Sequence, residues 1–288
     1  MSAAPSRSLA WTGLLAGLLV AGAGLSGCSE NNFSSRRTNS IAVTYGDFDN
    51  LTESLDRLLV QHGIYEGLIS NATWTDDEIG GIPVEALFLE GEMRLHDAVF
   101  VTSGTRGFGR TVYNANRPDD QLIGDDDNVR TAETFVRANK DFLLTDWSYD
   151  LAERAWPEMV EYYGDDAVLD AAQVGGVQTV VADVTDERLA EALGMNQVVI
   201  DYNFSNWAVI ESVSADEDVT VWLRGDVEYW NGDDWAILEN APLLVSFEPY
   251  AGPGTVVVMT FHANAQTPAV IDTLLETLLG PLPKWNEE

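Results

Sequence analysis

Basic residues are scarce in this 288-residue chain: 15 Lys and Arg stand against 47 Asp and Glu, a formal charge of −32. Affinity for nucleic acid comes mainly from neutralising phosphates with cationic side chains, so the balance argues against a nucleic-acid partner. Attachment to anionic lipid headgroups by charge alone is disfavoured for the same reason. Cysteine is scarcer still. Cys28 is the only one, so no internal disulfide can form. Of the three histidines, His62 and His96 have no second ligand at a useful spacing, which gives no support for a transition-metal site. After Leu25 no run of 18 apolar residues recurs, so nothing further along reads as a membrane-spanning helix. What the chain does have is 45% hydrophobic residues and nine Trp, the content of a folded body and not of an acidic tail. The acidity reports on solubility and suits a saline medium, where salt screens self-repulsion.

The first 27 residues are set apart from the fold. Arg7 supplies a basic start, Leu9 to Leu25 is an apolar stretch rich in Ala, Gly and Leu, and it ends in Leu25-Ser26-Gly27-Cys28. That tetrapeptide resembles the lipobox of bacterial lipoproteins, in which the Cys is acylated and the leader is cut just before it. The resemblance implies lipidation at Cys28 and a place in the bacterial cell envelope. Ser29, where an Asp would resemble an inner-membrane retention signal, implies the outer membrane. Residues 28–40 are polar and read as a tether. Removing 27 of the 288 residues leaves 261 and, with Arg7 gone, a charge of −33.

From Ser40 onward short β-rich runs alternate with amphipathic stretches, the pattern of an α/β sheet protein. Ile41 to Tyr45 reads as a first strand and Thr52 to His62 as a helix capped by Asn50 or Thr52. Ala98 to Thr102 and Phe142 to Thr145 are unbroken apolar runs of the kind that strands buried on both faces show. A polar loop over Asn114 to Asn128 precedes a helix from about Val129 to Asn139, and Tyr149 to Tyr163 reads as another helix. Between about 175 and 249 the rhythm changes to short β candidates: Val177 to Val181, Gln197 to Tyr202, Val219 to Leu223 and Trp235 to Leu238. Turn signals stand at Ser205-Asn206 and Asn231-Gly232. Val256 to Phe261 returns to the buried-strand pattern, and Thr267 to Leu279 closes the chain as a helix.

Ligands of open parallel sheets bind outside the carboxyl ends of the strands. The polar residues there are Asp47, Ser103 with Gly104, Asp146 with Trp147, and His262. Three of these segments, in this order, resemble the class I glutamine amidotransferase-like superfamily. Val99-Phe100-Val101-Thr102-Ser103-Gly104-Thr105 is similar to its oxyanion strand and glycine turn. Phe142-Leu143-Leu144-Thr145-Asp146-Trp147-Ser148-Tyr149 falls where the family has its nucleophile elbow. Thr260-Phe261-His262-Ala263-Asn264 is similar to the segment that carries its catalytic histidine. The resemblance covers roughly residues 40–165 and 242–282. It implies a mostly parallel, flavodoxin-like sheet flanked by helices over 41–282, with a β-rich insertion at about 175–249.

The departures from the family bear on function. No Cys exists in the body, and a carboxylate at Asp146 cannot form a thioester with glutamine. Asn264 stands where the family has the glutamate that orients its histidine. The expectation is therefore a degenerate domain that binds a ligand or an envelope protein or glycan, with Asp47, Ser103, Gly104 and Trp147 as ligand-binding residues. The alternative is an envelope hydrolase acting on glycans or esters through Asp146, Ser148 and His262. No cofactor is implied, and no metal: Asp125-Asp126-Asp127-Asn128 and Asp233-Asp234 lack the spacing of a calcium loop. Trp222, Trp230 and Trp235, with Tyr229, read either as core packing or as a surface for stacking on sugar rings.

Overall fold

The computed structural model describes residues 41–44, 46, 48–49, 51–61, 69–70, 73–75, 78–80, 82, 84–88, 91–103, 106–107, 110–111, 126–164, 171–215 and 218–279. Cys28 and the tether lie outside the described residues, as do Asp47, His62, Gly104 and most of the Asp-rich loop. Among the described residues, eleven strands form one sheet. In chain order they are β1 (Ile41–Val43), β2 (Ile69–Ser70), β3 (Ala98–Val101), β4 (Asp141–Thr145), β5 (Gln173–Gly175), β6 (Gln178–Val184), β7 (Gln197–Tyr202), β8 (Trp207–Ala208), β9 (Val219–Trp230), β10 (Trp235–Phe247) and β11 (Val256–Met259). The helices are α1 (Leu51–Gln61), α2 (Val84–Phe88), α3 (Asp126–Arg137), α4 (Tyr149–Ala155), α5 (Glu187–Leu193) and α6 (Pro268–Leu279).

Five strands are parallel neighbours in the order β2-β1-β3-β4-β11. This is the doubly wound, flavodoxin-like order, with its reversal at β1 and β3. Successive residues of a strand point to opposite faces, and both faces are apolar here. Ile41, Val43, Phe100 and Leu143 join one core under α1, α5 and α6, while Ala42, Val99, Val101 and Leu144 join the other under α3 and α4. Past β11 the sheet turns antiparallel through β10, β9, β6 and β7, and the short strands β5 and β8 pair beside β9. The change of rhythm in the sequence is thus a wing built onto the same sheet.

Three expectations from the sequence are corrected. The helix from Tyr149 ends at Ala155, not Tyr163, because Pro157 has no N–H to donate and disfavours helical backbone at Trp156. Val160–Tyr162 then pairs antiparallel with Ile210–Val213. Helix α3 begins at Asp126, inside the expected loop, since acidic residues favour a helix amino end. The wing contains a helix, α5, which Asp186 caps by accepting from the N–H groups of Arg188 and Leu189, and which Gly194 ends in the left-handed region at φ 69°.

Candidate functional site

The carboxyl ends of four parallel strands converge on His262. Strand β11 leads to it, β4 leads to Asp146, β3 to Ser103, and the turn after β1 to Asp49. Gly46 makes the convergence close. A Cβ there would lie 2.4 Å from Thr102 Oγ1 and 2.8 Å from the Ser103 carbonyl oxygen. Thr44 and Thr102 lock the two strand ends together: the Thr102 N–H donates to Thr44 Oγ1 at 3.0 Å and the Thr102 hydroxyl to the Thr44 carbonyl at 3.1 Å. The Ser103 N–H is bound in turn to Thr145 Oγ1 at 2.8 Å.

Asp146 sits at the sharp strand-to-helix turn with φ 38°. That is left-handed backbone, uncommon for a residue with a side chain and typical of functional turns. Only 1% of it is exposed, against 4% of His262 and 2% of Asp49. Asp146 Oδ1 accepts from the Ala208 N–H of β8 at 2.9 Å. Oδ2 lies 2.8 Å from His262 Nε2, within hydrogen-bond and ion-pair distance. The same Nε2 faces Ser103 Oγ at 3.2 Å. Ser148, also buried, turns away and donates to the Thr102 carbonyl at 3.3 Å.

Sequence reasoning missed Asp49. Its Oδ1 accepts from the Asn264 N–H at 3.2 Å, and the Asn264 side chain donates to the Phe48 carbonyl at 3.3 Å. Asn264 thus holds the β1 turn against the histidine segment. Asp49 carries no strand-pattern signal; only its burial reveals it. Gln266 was missed too. It accepts from the Asp201 N–H and donates to the carbonyls of Asp201 and His262, fastening the histidine turn to β7.

Burial pushes the Asp49 and Asp146 carboxyls above the usual carboxylate range, although His262 and neighbouring N–H groups oppose the shift. For His262 burial acts downward, but Asp146 first and then Asp49 outweigh it, and the imidazole is held above its ordinary value. Burial thus favours the neutral form of the two acids, and their proximity favours the protonated form of His262. No group of three or more His, Cys, Asp or Glu side chains among the described residues converges closely enough to hold a metal.

An aromatic shelf closes the outer side. Phe204, itself 37% exposed, stands edge-on to His262 with ring centroids 5.1 Å apart; Phe48 touches Phe204 at 5.6 Å and Trp147 at 5.0 Å. Trp147 is half-buried and donates its indole N–H to the Asn206 carbonyl at 2.7 Å. Of the residues proposed from sequence, Asp146, Ser103 and His262 are brought together and Trp147 lies on the shelf above them. Ser148 is adjacent but aimed elsewhere, and Asp47 and Gly104 lie outside the described residues. The wing tryptophans divide: Trp222 is buried, donating to Ser246 Oγ at 2.8 Å, while Trp230 and Trp235 are exposed as an edge-to-face pair.

A Ser-His-acid relay needs the serine and the acid on opposite ring nitrogens, so that one removes a proton while the other orients the ring. Here both meet Nε2. The arrangement can hold a proton and clamp strand ends together, but it offers no relay.

No protein-family model matches the chain, and no curated protein matches it either. Among solved structures it is similar to glutamine amidotransferase-like proteins at low identity. One, from Thermoplasma acidophilum, is described as part of a GMP synthase (12% identity, 84% of this chain and 94% of that one, TM-score 0.46). PurLQS from Thermotoga maritima gives 11%, 84%, 97% and 0.45. The glutaminase domain of Trypanosoma brucei CTPS, with bound acivicin, gives 12%, 86%, 96% and 0.44. These scores are too low to carry the assignment. The mixed α/β class rests on the strand order itself, and a shared scaffold decides no function.

Proposed function

We propose that this is a lipid-anchored protein of the bacterial cell envelope whose amidotransferase-like domain binds a ligand or partner without turning it over. The observation that carries the reading is the placement of Ser103 and Asp146 on the same nitrogen of His262. The elbow position supports it: the body has no cysteine, and Asp146 is committed to Ala208 on one oxygen and to His262 on the other. Glutamine hydrolysis lacks its nucleophile. Binding falls to the outward-facing shelf of Phe48, Trp147 and Phe204, where aromatic faces give contact area at low entropic cost. The lipobox-like Leu25-Ser26-Gly27-Cys28 supports the anchor, and Ser29 the outer membrane.

The full chain is expected to release no product from glutamine, chromogenic esters or glycosides. Turnover that disappears in His262→Ala would overturn the reading in favour of the hydrolase. Metabolic labelling with radioactive palmitate is expected to mark the wild type and not Cys28→Ser; an unlabelled wild type contradicts the anchor.

A further inference from the structure

A groove of about 600 Å³ runs along α3, remote from His262. Arg94 and Lys140 stand just before β3 and β4, so this end of the groove lies at the amino ends of the parallel strands, opposite the candidate site. One wall runs from Asp127 on α3 to Ala138 just past its end, about 16 Å at the usual helical rise. The other is made by Phe88, Gly91, Met93 and Arg94. The floor is apolar, made by Phe88, Met93 and Phe135, and the volume is that of a small-molecule pocket.

Its charge is unlike the rest of the molecule. Among the described residues, three of the chain's 15 cationic residues, Arg94, Arg130 and Lys140, line it against one carboxylate, Asp127. Asp127 is ion-paired with Arg130. The Lys140 ammonium donates to the Arg94 and His96 carbonyls, which holds it at the groove's end. Arg94 is exposed and has no ion partner among the described residues. A purely apolar ligand has no use for these cations, and a small polar anion has none for the floor. An anion with an apolar tail uses both.

We propose that this groove binds a single-chain anionic amphiphile, its carboxylate or phosphate head at Arg94 and Lys140 and its tail over Met93, Phe135 and Phe88. The test uses the full chain carrying Cys28→Ser, so that no acyl group of its own competes, with 11-(dansylamino)undecanoic acid as the fluorescent probe. Saturable binding is expected, displaced by oleate or by dodecyl phosphate, the stronger competitor identifying the head. Dodecanol, which has the tail without the charge, is expected to compete at least tenfold less well. Arg94→Glu should weaken the probe about tenfold, as loss of a charged contact and its replacement by repulsion require. Thr134→Trp, which fills the groove from the exposed face of α3, should abolish binding with the unfolding midpoint unchanged. Binding that is not saturable, that dodecanol displaces as well as oleate does, or that Arg94→Glu leaves intact overturns the proposal.

Discussion

Asp146 reaches two halves of the sheet at once, through Ala208 in the wing and His262 at the end of β11. Removing one partner of a buried pair strands the other, so Asp146→Ala should cost about 3 kcal/mol. Asp146→Asn keeps an acceptor for the Ala208 N–H and should cost roughly half as much, within the usual worth of a charged hydrogen bond. Urea denaturation of both variants measures the difference; equal losses would mean that the Ala208 contact contributes nothing. The pH dependence has a fixed sign. Asp49, Asp146 and His262 all titrate higher in the folded chain than in the unfolded one. Their contribution to stability is complete below the ordinary carboxylate range. It declines as pH rises through the folded values of the three groups. Acidic surface residues add a decline of their own, so the comparison is with Asp49→Asn, whose stability should fall less steeply over that window. Identical slopes would show that Asp49 does not participate.

Elements stop and start here for reasons of single residues. Helix α5 is only seven residues long and depends on its ends. Asp186→Ala should cost about 1 kcal/mol by orphaning two N–H groups. Gly194→Ala should cost a similar amount, about 1 kcal/mol, from left-handed backbone alone, because nothing lies within 4 Å of the added Cβ. Thermal unfolding of each variant checks this, and a stabilised Gly194→Ala would contradict the cap. Both residues stood in the sequence as signals, yet α5 is too short for helical periodicity to stand out inside a β-rich stretch. Pro157 was a stop too, passed over where the helix was expected to run on to Tyr163. The lengths of β9 and β10 were harder to read. Asn240, at φ 56°, and Pro242 look like breakers, but the ladder absorbs them at bulges where the register shifts. By contrast β3, β4 and β11 were legible because burial on both faces leaves an uninterrupted apolar run. At the site, strand ends marked Ser103, Asp146 and His262. Asp49 and Gln266 escaped because their roles are to satisfy backbone groups of distant segments, which no local pattern records.

Across the whole molecule the parallel half and the antiparallel wing share one sheet and one clasp. Asp146 holds β8, Gln266 holds β7, Asn264 holds the β1 turn, and His262 stands at the centre of the three. Most of the carboxylates of this acidic chain can remain in water at little cost, whereas burial shifts Asp49 and Asp146 toward protonation. Arg57 gives a second tie between helices, pairing with Asp272 at 3.0 Å and so joining α1 to α6 over the same core. If the centre is a clasp and no relay, the two acids beside His262 make it hold its proton more tightly than an ordinary imidazole does. Nitrogen-15 NMR titration of the His262 ring tests this most directly. The expected result is a pKa above that of an ordinary histidine, falling when Asp146 is replaced by Asn. A ring that titrates at or below the ordinary value, and is indifferent to Asp146→Asn, would contradict it.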